Sequence, residues 1–250
     1  MCTVSFIARK KGYALAMNRD EQLSRIEALP PEVVTENGCM VAYPSEPGGG
    51  TWIAINDRGI TFALINWYSV PARLEAQSVS RGRVVAAVRS LTSIGSVAQA
   101  LKQLSLPTIR PFRLIAIFPY SQKVAQWQWN QRTLVHQRHG WNPQQWISSG
   151  FDETTAQRIR SQTFRRALKQ KSAGSLGWLR RLHRSHVPVG GPFSTCMHRR
   201  EAATVSCTEI TVTESKAVMR YHGNAPCRCG AGAIPLPKAI IEFAIQGLDD

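Results

Sequence analysis

Short apolar runs arrive in pairs, each pair joined by a few turn-forming residues. This pattern fills the first half of a 250-residue chain and commits it to antiparallel sheet. Residues 3–8 (TVSFIA) and 13–17 (YALAM) flank Arg9-Lys10-Lys11-Gly12. EVV and CMVAY flank Thr35-Glu36-Asn37-Gly38, whose Asn-Gly pair suits a tight hairpin turn. TWIAIN and ITFALINW surround Asp57-Arg58-Gly59, just after Gly48-Gly49-Gly50. Those three glycines precede a strand rather than a helix, so they form no phosphate loop; their expected role is close approach of backbone near a pocket.

The period then changes. RGRVVAAVRSL and SVAQALKQL carry apolar residues three and four apart, the spacing of a helix face. FRLIAIFP returns to strand, followed by the hairpin VAQWQW–NQR–TLVHQ. Asp152 to Gln170 reads as a helix with acidic residues at its start and basic ones at its end, as the helix dipole favours. ATVSCTEITVT and KAVMRYH pair across Glu214-Ser215, and PKAIIEFAIQGL reads as a closing helix with Pro237 in its first turn. Two antiparallel sheets with segregated helices make an α+β protein. The run from Ser172 to Pro192, rich in Gly and Pro, reads as a long surface insertion, mobile or lid-like, within a single domain over 1–250. The tryptophans fall mostly on strand-like segments and read as core, with Trp67 beside Asn66 placed to line a pocket.

Thirty-one Lys and Arg against 16 Asp and Glu give a net charge of +15. From Thr154 to Arg200 there is no acidic residue, while Arg158, Arg160, Arg165, Arg166, Arg180, Arg181, Arg199 and others accumulate. A surface of that sign attracts nucleic acid, anionic lipid or an anionic small ligand. No zinc finger, RRM or KH signature accompanies it, so nucleic acid is not the expected partner. No run approaches the roughly 18–20 apolar residues of a membrane span. The start does not read as a signal peptide, since Arg9, Lys10 and Lys11 fall between its apolar stretches. The six cysteines are scattered, which fits reduced thiols in a cytoplasmic protein. His222 with Cys227 and Cys229, and His183 with His186, match no established zinc spacing. Neither a metal site nor a resident cofactor is expected from them.

The chemistry sits at the start, MCTVSFIARKKGYALAMNRDE. Removal of Met1, which a small second residue permits, would leave a thiol and a free α-amine on Cys2. A free thiol has a pKa of about 8.5 and is mostly protonated at neutral pH, whereas an α-amine at about 7.7–8.0 is available there as a base. The first hairpin returns the chain beside its own start, so Asn18, Arg19 and Asp20 can approach Cys2. Arg19 would favour the thiolate and Asp20 could orient the amine.

MCTVSF with AMNRDE, then GGTWIAINDRG, ALINW, SRGRVV and the late FSTCMHRREAATVS, resembles the NRDE family, also called the transport and Golgi organisation protein 2 family. That family in turn is similar to N-terminal nucleophile hydrolases of the penicillin V acylase and bile salt hydrolase type. The resemblance implies a four-layer αββα sandwich. It implies Cys2 as nucleophile and, through its amine, base; Arg19 and Asp20 as the charged pair beside it; Asn66 as an oxyanion donor; and Arg199 as the late arginine completing the charge network. The acylases space their pair as Arg-Asn-x-Asp, whereas Arg19 and Asp20 are adjacent, so Glu21 competes for the carboxylate role. Ser148-Ser149-Gly150 stands where a second asparagine is expected. The implied activity is hydrolysis of a non-peptide C–N bond in a small amide, the basic run suggesting an anionic one. The competing expectation is a non-catalytic heme or metabolite carrier on the same fold.

Overall fold

The computed structural model describes residues 2–73, 79–228 and 237–245. Three hairpins come first, as their turns dictate: β1 (Cys2–Arg9) with β2 (Gly12–Gln22), β3 (Leu29–Glu36) with β4 (Cys39–Ser45), and β5 (Ile53–Asn56) with β6 (Thr61–Asn66). Asn37 and Gly38 take φ of 50° and 73°, the left-handed pair that the second hairpin needs. Helices α1 (Gly82–Val88) and α2 (Ile94–Gln103) follow. Ser93 and Ser96 close a reciprocal capping box at the start of α2. The meander β7 (Phe112–Phe118), β8 (Lys123–Trp129), β9 (Leu134–His139) leads to β10 (Gln144–Ser148). Next come α3 (Glu153–Ala167) and α4 (Leu176–His183), then β11 (Ala202–Val212), β12 (Lys216–His222) and β13 (Ala239–Ala244).

Two antiparallel sheets result, one ordered β3-β4-β5-β6-β7-β8-β9 and the other β10-β1-β2-β11-β12-β13. Strand alternation divides their side chains cleanly. Val4, Phe6, Leu15 and Met17 face Ile53, Ile55, Ile115 and Ile117 between the sheets. On the outer face of the seven-stranded sheet lie α1 and α2, anchored by Val84, Val85, Val88, Val97 and Leu101. On the outer face of the six-stranded sheet, Phe164 of α3 and Trp178, Leu179 and Leu182 of α4 cover Ile7, Ala14 and Ala16. The order is helix, sheet, sheet, helix, the expected four layers. Each large apolar side chain so buried contributes about 1.5–3 kcal/mol. Among the described residues no helix is long and apolar enough to cross a membrane.

Two expectations change and one strand was not foreseen. PKAIIEFAIQGL supplies an edge strand, β13, and not a helix; residues 246–250 lie outside the described residues. Its exposure alternates, with Ile240 outward and Ile241 and Phe243 inward, and pairing with β12 outweighs the helical spacing. The run from Ser172 to Pro192 is not loop throughout. It contains α4, capped by Ser175 and buried through Trp178, Leu179 and Leu182. Finally, QQWIS is a strand that pairs with β1, although its polar start hid it in the sequence.

Strand β11 carries one irregularity. Thr204 pairs with Asp20 and Ser206 with Arg19, so Val205 is an extra residue opposite the Arg19–Asp20 peptide. Such a bulge changes which face the following side chains use. Ser206, like Ile210 and Val212, lies on the side that faces between the sheets, while Thr204 reaches the opposite side.

Candidate active site

Cys2 is the first residue of β1 and has a strand on each side, opposite Arg19 of β2 and Ser148 of β10. Its backbone N–H donates to Ser148 Oγ at 3.0 Å. Only 7% of the residue is exposed. Burial pushes the Cys2 thiol up from its ordinary range, with Asp20 adding to this and Arg19 opposing it. Burial at this position thus favours the neutral thiol over the thiolate.

Arg19 lies on the same face as Cys2. Its Nη2 donates to Glu46 Oε1 at 2.6 Å and to Glu21 Oε2 at 3.3 Å, and its guanidinium stacks 4.5 Å from the centre of the Trp52 ring. Arg25 donates to Glu21 Oε2 at 2.8 Å. Burial alone would raise the Glu21 carboxyl, but the Gln22 N–H, Arg25 and Arg19 outweigh it and hold the group below its usual value.

Asp20, one residue on, faces the helical layer. It is fully buried, with Oδ1 accepting from Thr204 Oγ1 at 2.6 Å and Oδ2 from Arg160 Nη1 at 3.2 Å. Arg160 also donates to Thr3 Oγ1 and to the Pro192 carbonyl. Sequence reasoning missed Arg160, yet a signal existed. It falls four residues from Ala156 and four from Phe164 on α3, in the register of the buried stripe.

These groups border a cavity of about 340 Å³ between the strand ends, lined by Cys2, Arg19, Asp20, Trp52, Asn66, Arg81 and Arg110 among others. Asn66, the last residue of β6, donates from Nδ2 to Tyr68 Oη at 2.7 Å and has a second amide hydrogen to give. The glycines after β4 do bring backbone close. A Cβ on Gly82 would lie 2.8 Å from Thr51 N and 2.9 Å from Gly50 Cα. That contact seats the start of α1, and Arg81 with it, at the cavity wall. Arg81 belongs to the SRGRVV stretch but had no assigned role. Trp52, not Trp67, supplies the aromatic wall, and its Nε1 has no hydrogen-bond partner among the described residues.

Four of the five expected residues thus border one cavity: Cys2, Arg19, Asp20 and Asn66. Arg199 does not line it. Its guanidinium lies 4.6 Å over the Phe151 ring and 3.2 Å from Glu201. The two His/Cys groupings that the sequence offered, and that matched no zinc spacing, are divided by the fold. His183 bonds Asn18 Oδ1 and Ser5 Oγ; His222 lies 3.6 Å from Glu209; Cys229 is outside the described residues. His186 and Cys227, one from each pair, instead meet Cys196 and His198, and these four are the described residues grouped so as to hold a metal ion.

The family model described as Transport and Golgi organisation 2 matches residues 1–173. The chain belongs to this family. Among solved structures it is similar to a cysteine-to-alanine mutant of the conjugated bile acid hydrolase from Clostridium perfringens, with TM-score 0.53 and 10% identity over 97% of this chain and 92% of that one. An arginine-to-leucine variant of the same hydrolase gives TM-score 0.53 and 9% identity over 98% and 97%. Penicillin V acylase from Agrobacterium tumefaciens covers 88% of this chain and 82% of its own at 9% identity and TM-score 0.49. No curated protein sequence matches the chain. The fold of this Transport and Golgi organisation 2 member is that of the N-terminal nucleophile hydrolases.

Proposed function

We propose that the protein is a cysteine-dependent amidohydrolase that cleaves a non-peptide C–N bond after Met1 is removed. The observation that carries this reading is the cavity at the start of β1, lined by Cys2, Arg19 and Asn66 and bordered by Asp20, whose carboxylate is held on the helical side behind Cys2. In the proposed course, Cys2 Sγ attacks the amide carbonyl while its proton passes to the α-amine of the same residue. Ser148 Oγ holds that nitrogen at 3.0 Å, and Asp20, fixed from behind by Arg160 and Thr204, favours its protonated form. Asn66 Nδ2 donates to the oxyanion. The C–N bond then breaks, the amine leaves with the proton, and an acyl-thioester remains. Water gives its proton to the α-amine, attacks the thioester and releases a carboxylic acid and the thiol.

The substrate in this reading is anionic. Arg19 and Arg25 are matched by Glu21 and Glu46, whereas Arg81 and Arg110 on the same cavity form no salt bridge with a carboxylate among the described residues. The setting is cytoplasmic, where Cys2 stays reduced. The test starts with the intact mass of the untagged chain, then compares amides bearing a carboxylate or sulfonate with neutral ones. Met1 should be absent, Cys2→Ala should abolish turnover, and Asn66→Ala should reduce it about 10²- to 10³-fold. Retained Met1, or turnover indifferent to Cys2→Ala, would overturn the reading. A stoichiometric spectral change with heme on a chain that keeps Met1 would favour the carrier.

A further inference from the structure

We infer that His186, Cys196, His198 and Cys227 form a structural zinc site. The four come from three separate stretches. His186 follows α4, Cys196 and His198 lie on the segment entering β11, and Cys227 lies beyond β12. Their ligand atoms all fall within 4.8 Å of one another. His198 Nε2 is 3.1 Å from His186 Nε2, 3.3 Å from Cys227 Sγ and 3.7 Å from Cys196 Sγ. The two imidazoles meet edge to face at 77°.

One imidazole nitrogen has a single hydrogen or a single lone pair, so hydrogen bonding explains one of these three neighbours and leaves two. A shared ion explains all three. For a tetrahedral zinc with bonds of about 2.3 Å to sulfur and about 2.0–2.1 Å to nitrogen, ligand atoms stand roughly 3.3–3.8 Å apart. The distances around His198 Nε2 scatter about that range. Two thiolates and two imidazoles in tetrahedral array select zinc among common divalent ions. Binding releases the two thiol protons to solvent, leaving a neutral site. Four protein ligands fill the coordination sphere, so the role is structural rather than catalytic.

The site lies against the proposed catalytic apparatus without belonging to it. Met197, between two ligands, exchanges backbone and side-chain bonds with Thr204: Met197 N–H donates to Thr204 Oγ1 at 2.8 Å and Thr204 N–H to the Met197 carbonyl at 2.9 Å. Thr204 Oγ1 in turn donates to Asp20. Zinc would therefore fix the segment that fixes Asp20.

The test uses the full chain. Purified protein should carry one equivalent of zinc by elemental analysis. Replacement by cobalt should give the d–d bands of tetrahedral cobalt with a thiolate-to-cobalt charge-transfer band. Cys196 and Cys227 should resist alkylation until a chelator is added, as read by peptide mapping, which needs no variant to fold. Cys227→Ser and His186→Ala should lose the metal, and Cys39→Ser should keep it. Alkylation indifferent to chelator, zinc retained in the double variant Cys196→Ser/Cys227→Ser, or a Cys196–Cys227 disulfide in the freshly isolated chain would each overturn the inference. None of these readouts depends on turnover, so they stand apart from the amidohydrolase reading.

Discussion

Replacing Arg160 by Met should be among the most damaging single changes in the six-stranded half of the molecule. Arg160 is 1% exposed and its partner Asp20 is 0% exposed. The substitution fills most of the volume but removes the donor to Asp20 Oδ2 and strands two further acceptors, Thr3 Oγ1 and the Pro192 carbonyl. Breaking one partner of a buried ion pair costs about 3–5 kcal/mol, because the remaining charge keeps its desolvation penalty and loses its countercharge, with hydrogen bonds such as that from Thr204 Oγ1 left to offset it. At about 2–4 °C per kcal/mol for a chain of this size, the melting temperature should fall by roughly 6–20 °C. Thermal unfolding followed by circular dichroism reads this directly. Adding Asp20→Asn to Arg160→Met removes the buried charge that has lost its countercharge, so the double variant should be more stable than Arg160→Met alone. A loss below about 1 kcal/mol, the scale of an exposed pair, would refute the reasoning, as would a double variant less stable than the single one.

Three other outcomes are expected. Burial pushes the His183 imidazole down to about 3, so the folded protein holds it neutral while the unfolded chain takes up a proton below about 6.5. Stability present above that pH is lost as the pH falls toward 3, about 3 kcal/mol at pH 4.5, and His183→Gln should flatten urea midpoints over this window. Glu209 is raised by burial but drawn down to about 2 by His222 and Arg180. Its contribution, present above the unfolded value near 4.5, is lost between there and about 2, and Arg180→Met should reduce that acid-limb slope, His222 supplying the rest. Gly82→Ala places a Cβ against Thr51 N and Gly50 Cα, both backbone, so it should cost about 1–3 kcal/mol in chemical denaturation.

Hairpins and helix faces were legible because each rests on local pattern: Asn37-Gly38 at a turn, Asp152 at a helix start, and alternation along Val4 and Phe6; the four layers were implied by the family resemblance, and the helix capped by Ser175 was hidden in a run that reads as loop. Cys2, Arg19 and Asp20 were legible because one hairpin brings them together. What stayed hidden depends on contacts distant in sequence. Ser148 reaches Cys2 only through a strand with a polar start, and Arg160 meets Asp20 across 140 residues. The His/Cys cluster draws one residue from each of two groupings that matched no zinc spacing, because folding brings His186 and Cys227 to Cys196 and His198. The edge strand β13 failed for the opposite reason: its local spacing fits a helix, and only β12 decides otherwise.

The extra residue at Val205 makes β11 a strand with two phases. From Ser206 to Val212 the even-numbered side chains belong to the space between the sheets, yet Thr204 turns toward Asp20. Deleting Val205 would act like a frameshift in side-chain orientation: everything from Ala202 back toward His198 and Cys196 would arrive rotated by half a turn, with its composition unaltered. Substituting Val205 leaves that count intact. The spacing between Ile210 and His198 is therefore a property of this molecule as definite as any single residue, and a chain redesigned for this fold must preserve the number of residues there even where it is free to change their kind.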